Sequence, residues 1–270
     1  MSGIGARVPG GAASVVRSRW GRTALRTAAG LLLPVALLIV WQLAAASGSY
    51  NRSQLPAPAD VLEAARSLLA RDELGHHIAI SVQRVLIGFA VGAALGLLLG
   101  GLVGLSRTAR AVLAPTIHAI RAVPSLAWVP LLLLWLGIGE TPKITLVAIG
   151  AFFPVYTTVS AGLDHVDPRL EELGLAYGRR GPALLVQVLV PAAAPAVLSG
   201  LRLGLAQGWL FLVAAELIAS SMGLGFLLID SENTGRTDIL FLAILLLALL
   251  GKASDALLGA AEHHVVRRWS

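Results

Sequence analysis

The stretch VLIGFAVGAALGLLLGGLVGL, residues 85–105, decides the fold class. It carries no charged residue, and about 20 apolar residues of helix are what is needed to cross a hydrocarbon core of about 30 Å. A strand of a membrane barrel would instead alternate polar and apolar residues over about ten positions. The stretch therefore predicts a transmembrane α-helix.

Glycine recurs at every fourth position of this stretch, which leaves one face of the helix without side chains: Gly88, Gly92, Gly96, Gly100 and Gly104. A later apolar run has the same spacing at Gly200, Gly204 and Gly208. Such stripes let a second helix approach closely. They predict helix packing inside one subunit, with a contact between subunits as the alternative.

The composition extends this conclusion to the whole chain. Of the 270 residues, 56% are hydrophobic and 13% charged, with a mean hydropathy of +0.79, which is too apolar for a soluble globule. We expect an all-α integral membrane protein with six transmembrane helices, in a domain covering residues 28–262. The predicted spans are 28–46, 85–105, 117–138, 144–163, 197–219 and 239–260.

The termini and loops predict the orientation. The arginine-rich tail, residues 1–27, precedes an apolar run that ends in Ala44-Ala45-Ala46 and looks like a signal peptide. That run is longer than the usual apolar region of about 7 to 15 residues, so we expect a retained first span. With this tail in the cytoplasm, roughly twice as many lysines and arginines fall inside as outside, as the positive-inside rule requires. Both termini, including the tail 263–270, are therefore predicted to be cytoplasmic.

Charge and cysteine content exclude several classes of site. The net charge of +6 comes from arginines at the ends of apolar runs, which indicates topology rather than nucleic-acid binding. The absence of cysteine excludes disulfides, thiolate metal ligands and a cysteine nucleophile. The histidine pairs His76-His77 and His263-His264 are adjacent rather than four apart, so we expect surface histidines and no metal site.

Candidate residues for a transport path lie in or near the spans. Pro124 and Pro130 flank the start of the third span, which predicts a broken or tilted helix. Irregular backbone at membrane depth needs protein or a water-filled cavity around it. Ionisable groups inside a membrane are functional candidates by default. The carboxylate of Glu216 is one, although pairing with the external loop is an equal alternative. The candidates are Arg121, Ser125, Trp128, Arg202, Trp209 and Glu216.

Two segments between the spans carry helical patterns. Residues 56–74 predict an amphipathic helix outside the membrane. In the cytoplasmic loop, residues 164–196, Asp167-Pro168 predicts a helix start, Gly178 and Gly181-Pro182 interrupt the helix, and a second apolar segment runs to Pro191. Leucines in this loop need a surface to cover them, which is a groove of a partner protein or the chain's own membrane domain.

The loop resembles the cytoplasmic motif of ABC importer permeases. Glu172, Gly178 and Pro191 keep that motif's spacing, while Leu173 and Gly174 stand where the family has two alanines. Further segments, such as Ile120-Arg-Ala-Val-Pro-Ser-Leu-Ala-Trp-Val-Pro-Leu, are similar to the sulfonate, nitrate and taurine branch of these permeases. The resemblance covers the chain from about residue 30 to its C-terminus.

The resemblance implies a type I importer permease of the plasma (inner) membrane that carries a small organic or inorganic anion. The implied partners are a second copy of the permease, two cytoplasmic ABC subunits that bind ATP and Mg, an external binding protein, and membrane lipid. The loop would be the helix that couples to the ATPase. Its candidate residues are Leu170, Glu172, Leu173, Tyr177, Gly178, Arg179, Arg180, Gly181, Leu184 and Pro191.

The chain itself is not expected to be an enzyme. Its only lysines, Lys143 and Lys252, do not stand in the Gly-x-x-x-x-Gly-Lys-Ser/Thr context that cradles phosphates. An ATP-driven importer would therefore need a separate ATPase. An ion-coupled secondary transporter is the alternative, but neither inverted repeats nor a midplane carboxylate is visible. A membrane scaffold without transport is the third possibility.

Overall fold

The computed structural model describes residues 32–269, except the side chains of Ser125, Pro182, Ala219 and residues 263–269. The predicted tail 1–27 and residues 28–31 of the first span lie outside this range. The chain divides into two units, residues 1–61 and 62–270. In the first unit, helix α1 (Leu32–Ala46) is apolar, and the indole Nε1 of Trp41 donates a hydrogen bond of 2.9 Å to the carbonyl of Pro56.

The predicted amphipathic segment forms helix α2 (Pro58–Ala70). Asp60 lies in its first turn and accepts a hydrogen bond of 3.0 Å from the backbone N–H of Ala57, which fixes the helix start. Ala64 and Leu68 are buried, and Leu69 is exposed. The helix is thus confirmed, over a slightly shorter range than predicted.

Helix α6 (Glu140–Asp164) is the centre of the second unit. It lies against α3 (Glu73–Leu105) through the first glycine stripe: a Cβ atom at Gly96 would lie 2.8 Å from the Cβ atom of Val155, and one at Gly104 would lie 2.8 Å from that of Leu163. These distances are shorter than a van der Waals contact. Only glycine permits this approach, and the prediction of packing inside one subunit is confirmed.

The second glycine stripe lies on α9 (Val190–Ala219), which packs on α6 as well. A Cβ atom at Gly204 would lie 2.8 Å from Cγ2 of Val155. Helix α6 is therefore enclosed by α3 and α9, and Val147, Ala151 and Val155 on it are fully buried.

Four described helices are long and apolar enough to cross a membrane, and each overlaps a predicted span: Glu73–Leu105, Glu140–Asp164, Leu185–Ile218 and Thr237–Glu262. The predicted third span, 117–138, is not a continuous helix. It is divided between α4 (Arg107–Ala122), a 3-10 turn (Ser125–Ala127) and the nine-residue α5 (Trp128–Leu136).

Pro124 explains this break. The residue before a proline is forced out of the helical region, and Val123 has the extended angles φ −72° and ψ 124°. Pro130 falls in the first turn of α5, where its missing N–H costs no hydrogen bond. The predicted break is confirmed, and it is complete rather than a tilt.

The predicted helix–turn–helix loop follows α6. Helix α7 (Pro168–Ala176) begins at Asp167, whose Oδ1 accepts a hydrogen bond of 2.9 Å from the N–H of Arg169. Gly178 and Gly181 have φ of +75° and +54°, which is why glycine occupies both turn positions. A short helix α8 (Pro182–Leu184) and a π-helical turn (Leu185–Leu189) lead into α9. The wide turn lies just before Pro191, which cannot donate to an α-helical ladder.

The chain ends with α10 (Leu224–Thr234) and α11 (Thr237–Trp269). Both pack against α9. Gly235, with φ +69°, closes α10 in the left-handed conformation typical of a helix C-terminus.

Candidate functional site

A largely buried ionic network joins α3 to the start of α6 and the end of α9, with the carboxylate of Glu140 at its exposed edge. Its centre is Arg84 of α3, which is 4% exposed. Its Nε and Nη2 atoms donate to the two oxygens of Glu140 at 2.6 Å each, and Nη1 donates to Oε1 of Glu216 at 2.6 Å and to the carbonyl of Met222 at 2.7 Å. Bidentate pairing of this kind is the strongest geometry for an arginine and a carboxylate.

Glu216 on α9 is completely buried and also fully paired. The hydroxyl of Ser81 donates to it at 2.9 Å, and the N–H of Gly225 donates to Oε2 at 2.8 Å. The same Ser81 oxygen accepts from the N–H of Leu224 at 2.8 Å. Glu216 therefore holds the first turn of α10 against α3, which supports pairing with the loop over a role on an open path.

Two further residues complete the network. Nζ of Lys143 is 3.0 Å from Glu140, so two cations face two carboxylates and the charges balance. Nδ1 of His77, which is 8% exposed, accepts the N–H of Gly223 at 2.9 Å. The prediction that all histidines lie at the surface is wrong for His77, because the α9–α10 turn covers it.

The sequence analysis did not single out Ser81, Arg84, Glu140 or Lys143. A signal was available: His77, Ser81 and Arg84 recur at the spacing of one helix face ahead of an apolar run. Polar residues repeated on one face of a membrane helix indicate a buried polar contact.

Two other predicted path residues connect α9 to α11. Arg202 pairs at 2.9 Å with Asp255 and at 2.9 Å with Glu262. Nε1 of Trp209 donates to the hydroxyl of Ser254 at 2.9 Å, and its side chain is 9% exposed. Their polar groups are thus already occupied within the chain.

Trp128 lines an apolar cavity of about 580 Å³ with side chains of α3 and α6, among them Leu95 and Phe152. Within the described part of the chain, its buried indole Nε1 has no hydrogen-bond partner. Ser125 is only placed in the turn between α4 and α5.

Arg121 lies in a different cavity of about 430 Å³ between α4, α6 and α9, which has both polar and apolar walls. Its Nη1 donates at 3.2 Å to the hydroxyl of Thr157. Thr158 and Gln207 line the same cavity, together with Phe153 and Phe211. Of the predicted path residues whose side chains are described, only Arg121 presents a charge to a cavity.

The α7–α8 loop forms a second exposed surface at the opposite end of the bundle. Tyr177 is 78% exposed, and Leu170 and Leu173 are also exposed. Glu172, Arg179 and Arg180 are exposed beside them. An apolar surface mixed with charges in this way is typical of a protein-docking site.

Leu184 does not belong to that surface. It is 8% exposed, and its Cδ1 would lie 2.5 Å from a Cβ atom at Gly174. Of the two alternatives for the leucines of this loop, Leu184 is covered by α7 of its own chain. Gly174 permits this contact because it has no side chain. Contact of Leu184 with an ATPase stays a prediction.

The comparisons with known proteins point in one direction. The model of the family described as binding-protein-dependent transport system inner membrane component matches residues 92–267. The putative aliphatic sulfonates transport permease protein SsuC of Escherichia coli (strain K12) is 42% identical, covering 83% of this chain and 85% of its own length. Its counterpart in Bacillus subtilis (strain 168) is 36% identical, covering 94% and 92%.

The taurine transport system permease protein TauC of Escherichia coli (strain K12) is 36% identical, covering 79% of this chain and 80% of its own. Among solved structures, a chain of the inward-facing MetNI methionine ABC transporter aligns with a TM-score of 0.56 and 23% identity. The alignment covers 77% of this chain and 99% of that one. This structural likeness shows that the two chains share a fold.

Proposed function

Because the chain belongs to the family of binding-protein-dependent transport system inner membrane components, we propose that it is the membrane permease subunit of an ATP-driven ABC importer. Its cargo is a small anion of the aliphatic sulfonate, taurine or nitrate class. Three permeases that align with the chain over most of their length are named for the transport of aliphatic sulfonates or taurine, which supports this class.

The proposed orientation places both termini in the cytoplasm of a cell with a plasma (inner) membrane. Helices α1, α3, α6, α9 and α11 cross the membrane, and α4 with α5 makes the remaining crossing as a broken segment. The excess of arginines on the cytoplasmic side supports this orientation. It puts the α7–α8 loop inside the cell and the Arg84 network near the outer surface.

The observation that carries the proposal is the exposed surface of the α7–α8 loop. Leu173 and Tyr177 project from a short helix that is held by its N-cap, by Gly178 and by the close contact at Gly174. A rigid helix with an apolar exposed face fits a groove in a partner protein. We propose that two ABC subunits, which bind ATP and Mg, receive this helix from two copies of the chain.

The test is co-purification of the tagged chain with an ABC ATPase subunit from the same organism. Leu173→Glu and Tyr177→Ala should reduce the recovered ATPase at least about tenfold, because interface anchors of this type contribute about 2 kcal/mol or more. Both side chains are exposed, so the fold should not change. Leu69→Glu, which places the same charge on an exposed leucine of α2, is the control and should bind normally.

Binding of the ATPase by the native chain and both loop variants alike would remove the coupling role from this surface. Absence of binding by the native chain, combined with uptake driven by an ion gradient, would favour a secondary transporter.

A further inference from the structure

The Arg121 cavity combines polar side chains with apolar ones within two predicted spans. Thr157 and Thr158 lie within the span Glu140–Asp164, and Gln207 lies within the span Leu185–Ile218. Gln207 is exposed and has no hydrogen-bond partner among the described residues. An amide facing lipid is unfavourable, so these groups face water, a ligand or a protein partner.

The backbone of α6 supports a hydrated cavity. Pro154 lies inside the continuous helix and has no N–H, so the carbonyl of Gly150 lacks its usual intrahelical donor, and both residues line the cavity. Non-helical hydrogen bonding at membrane depth is tolerated where a cavity or protein supplies the partner. The cavity therefore has the properties of a segment of the transport path.

Arg121 is oriented but not neutralised there. The hydroxyl of Thr157 donates to the carbonyl of Phe153 at 2.7 Å, so its oxygen is free to accept from Nη1 of Arg121. A guanidinium has five N–H donors, and within the described residues this is the one hydrogen bond Arg121 makes. No described carboxylate forms an ion pair with it, in contrast to Arg202. Its positive charge is available to an anion.

The rest of the cavity matches a small oxyanion. The amide of Gln207 adds an N–H donor, and Phe153 and Phe211 supply apolar walls. Its volume of about 430 Å³ falls within the usual range for small-molecule sites, about 300–1,000 Å³. A charged headgroup against Arg121 and a short carbon chain against the phenylalanines fit this distribution of groups.

We infer that Arg121, Thr157 and Gln207 form a transient binding site for the oxyanion headgroup of the transported substrate. This inference rests on the proposed function. Arg121 makes the direct contact, and Thr157 positions it. Such a step lowers the barrier for an anion in a low-dielectric membrane, and the single cation keeps binding weak enough for release.

The test is taurine uptake by proteoliposomes that contain the complete complex with its ATPase subunits and external binding protein. Arg121→Met should lower the maximal uptake rate about tenfold, the factor expected for one charge-assisted hydrogen bond. Half-maximal uptake should occur at an unchanged taurine concentration, because the external protein captures the substrate. Arg121→Lys should recover part of the rate, and Thr157→Val should lower it about threefold, as a neutral hydrogen bond predicts.

The matched control is Arg107→Met, which removes an exposed charge from the other end of α4 and should leave uptake unchanged. Recovery of the complex and its ATP hydrolysis without taurine should stay at the native level in every variant. The uptake defect should be the same in zwitterionic and anionic liposomes.

Three results would overturn the inference. The Arg121→Met variant could take up taurine at the native rate, its lower uptake could be explained by loss of the assembled dimer, or its lower uptake could occur only in anionic liposomes. The second identifies a contact with the other permease copy, and the third a lipid headgroup. Failure of the native complex to transport taurine, a simple sulfonate or nitrate would instead contradict the proposed function itself.

Discussion

Arg84 and Arg121 lie in the same helical bundle with opposite surroundings. Arg84 is 4% exposed, and its guanidinium contacts two carboxylates and a backbone carbonyl. Arg121 is exposed, and its hydrogen bond to Thr157 is a neutral one. A buried charge is tolerated only when it is paired, so the Arg84 network is complete within one chain. Arg121, which has no counter-charge among the described residues, is available to bind an anionic ligand.

The difference assigns the two regions to two tasks. The Arg84 network joins α3, α6 and the α9–α10 turn into one rigid body, and its charges balance. The Arg121 cavity keeps a net positive charge and an exposed amide. Helix α6 contributes to both regions and is packed against glycines along its length. The Arg84 network therefore stabilises the helix that carries Thr157 and Thr158 of the Arg121 cavity.

The largest effect should come from breaking the Arg84 network. Arg84→Met leaves Glu216 buried without its cation, and a broken buried pair costs about 3–5 kcal/mol. We expect strong loss of the folded protein, measured as the thermal unfolding midpoint in detergent. The double variant with Glu216→Leu should be more stable than Arg84→Met alone, because no uncompensated charge remains.

Glu63→Gln is the control for this experiment. Glu63 pairs with Arg66 on the surface of α2, where both side chains are about two-thirds exposed or more, and water screens such pairs. Its unfolding midpoint should equal that of the native chain. An equally small effect of Arg84→Met would show that the network does not hold the bundle.

The next effect tests the packing that joins the two regions. Gly96→Ala places a Cβ atom 2.8 Å from that of Val155 and should destabilise the protein by about 1–3 kcal/mol. Gly101 lies on the same helix and faces open space, so Gly101→Ala should be neutral or stabilising by up to about 1 kcal/mol. Equal unfolding midpoints for the two variants would contradict the close α3–α6 contact.

The smallest effects on the unfolding midpoint are expected at Arg202 and Arg121. Arg202→Met removes the ion pairs with Asp255 and Glu262, which are partly exposed, so the unfolding midpoint should fall by much less than for Arg84→Met. Arg121→Met should leave the midpoint nearly unchanged, because its one hydrogen bond, to Thr157 of α6, is long and exposed to solvent. A clear loss of stability in Arg121→Met would make that residue structural.

Much of the fold follows from local patterns. The apolar runs, the glycine stripes, the N-cap at Asp167 and the break at Pro124 are set by neighbouring residues, and each predicts its structure from sequence. The bounds of the third span came from hydropathy, which averages across a proline, whereas its break came from the backbone restriction that Pro124 imposes on the single residue Val123.

The site was less predictable because it depends on contacts between distant segments. Arg84, Glu140 and Glu216 meet only when three helices are aligned, so the sequence could mark Glu216 as unusual but not name its partner. Arg121 and Arg202 looked equivalent as arginines near the ends of spans. Only the structure shows that α11 neutralises Arg202, whereas no carboxylate among the residues it describes pairs with Arg121.

The most direct test of the central claim is the energy source for anion uptake. Proteoliposomes containing the chain, its ATPase subunits and the external binding protein would be given labelled taurine, with ATP or with a non-hydrolysable analogue at the ATPase. We predict that the complete complex takes up taurine with ATP but not with the analogue, and that no uptake occurs when the ATPase subunits are omitted. Uptake that needs no ATPase and follows a proton or sodium gradient would contradict the account.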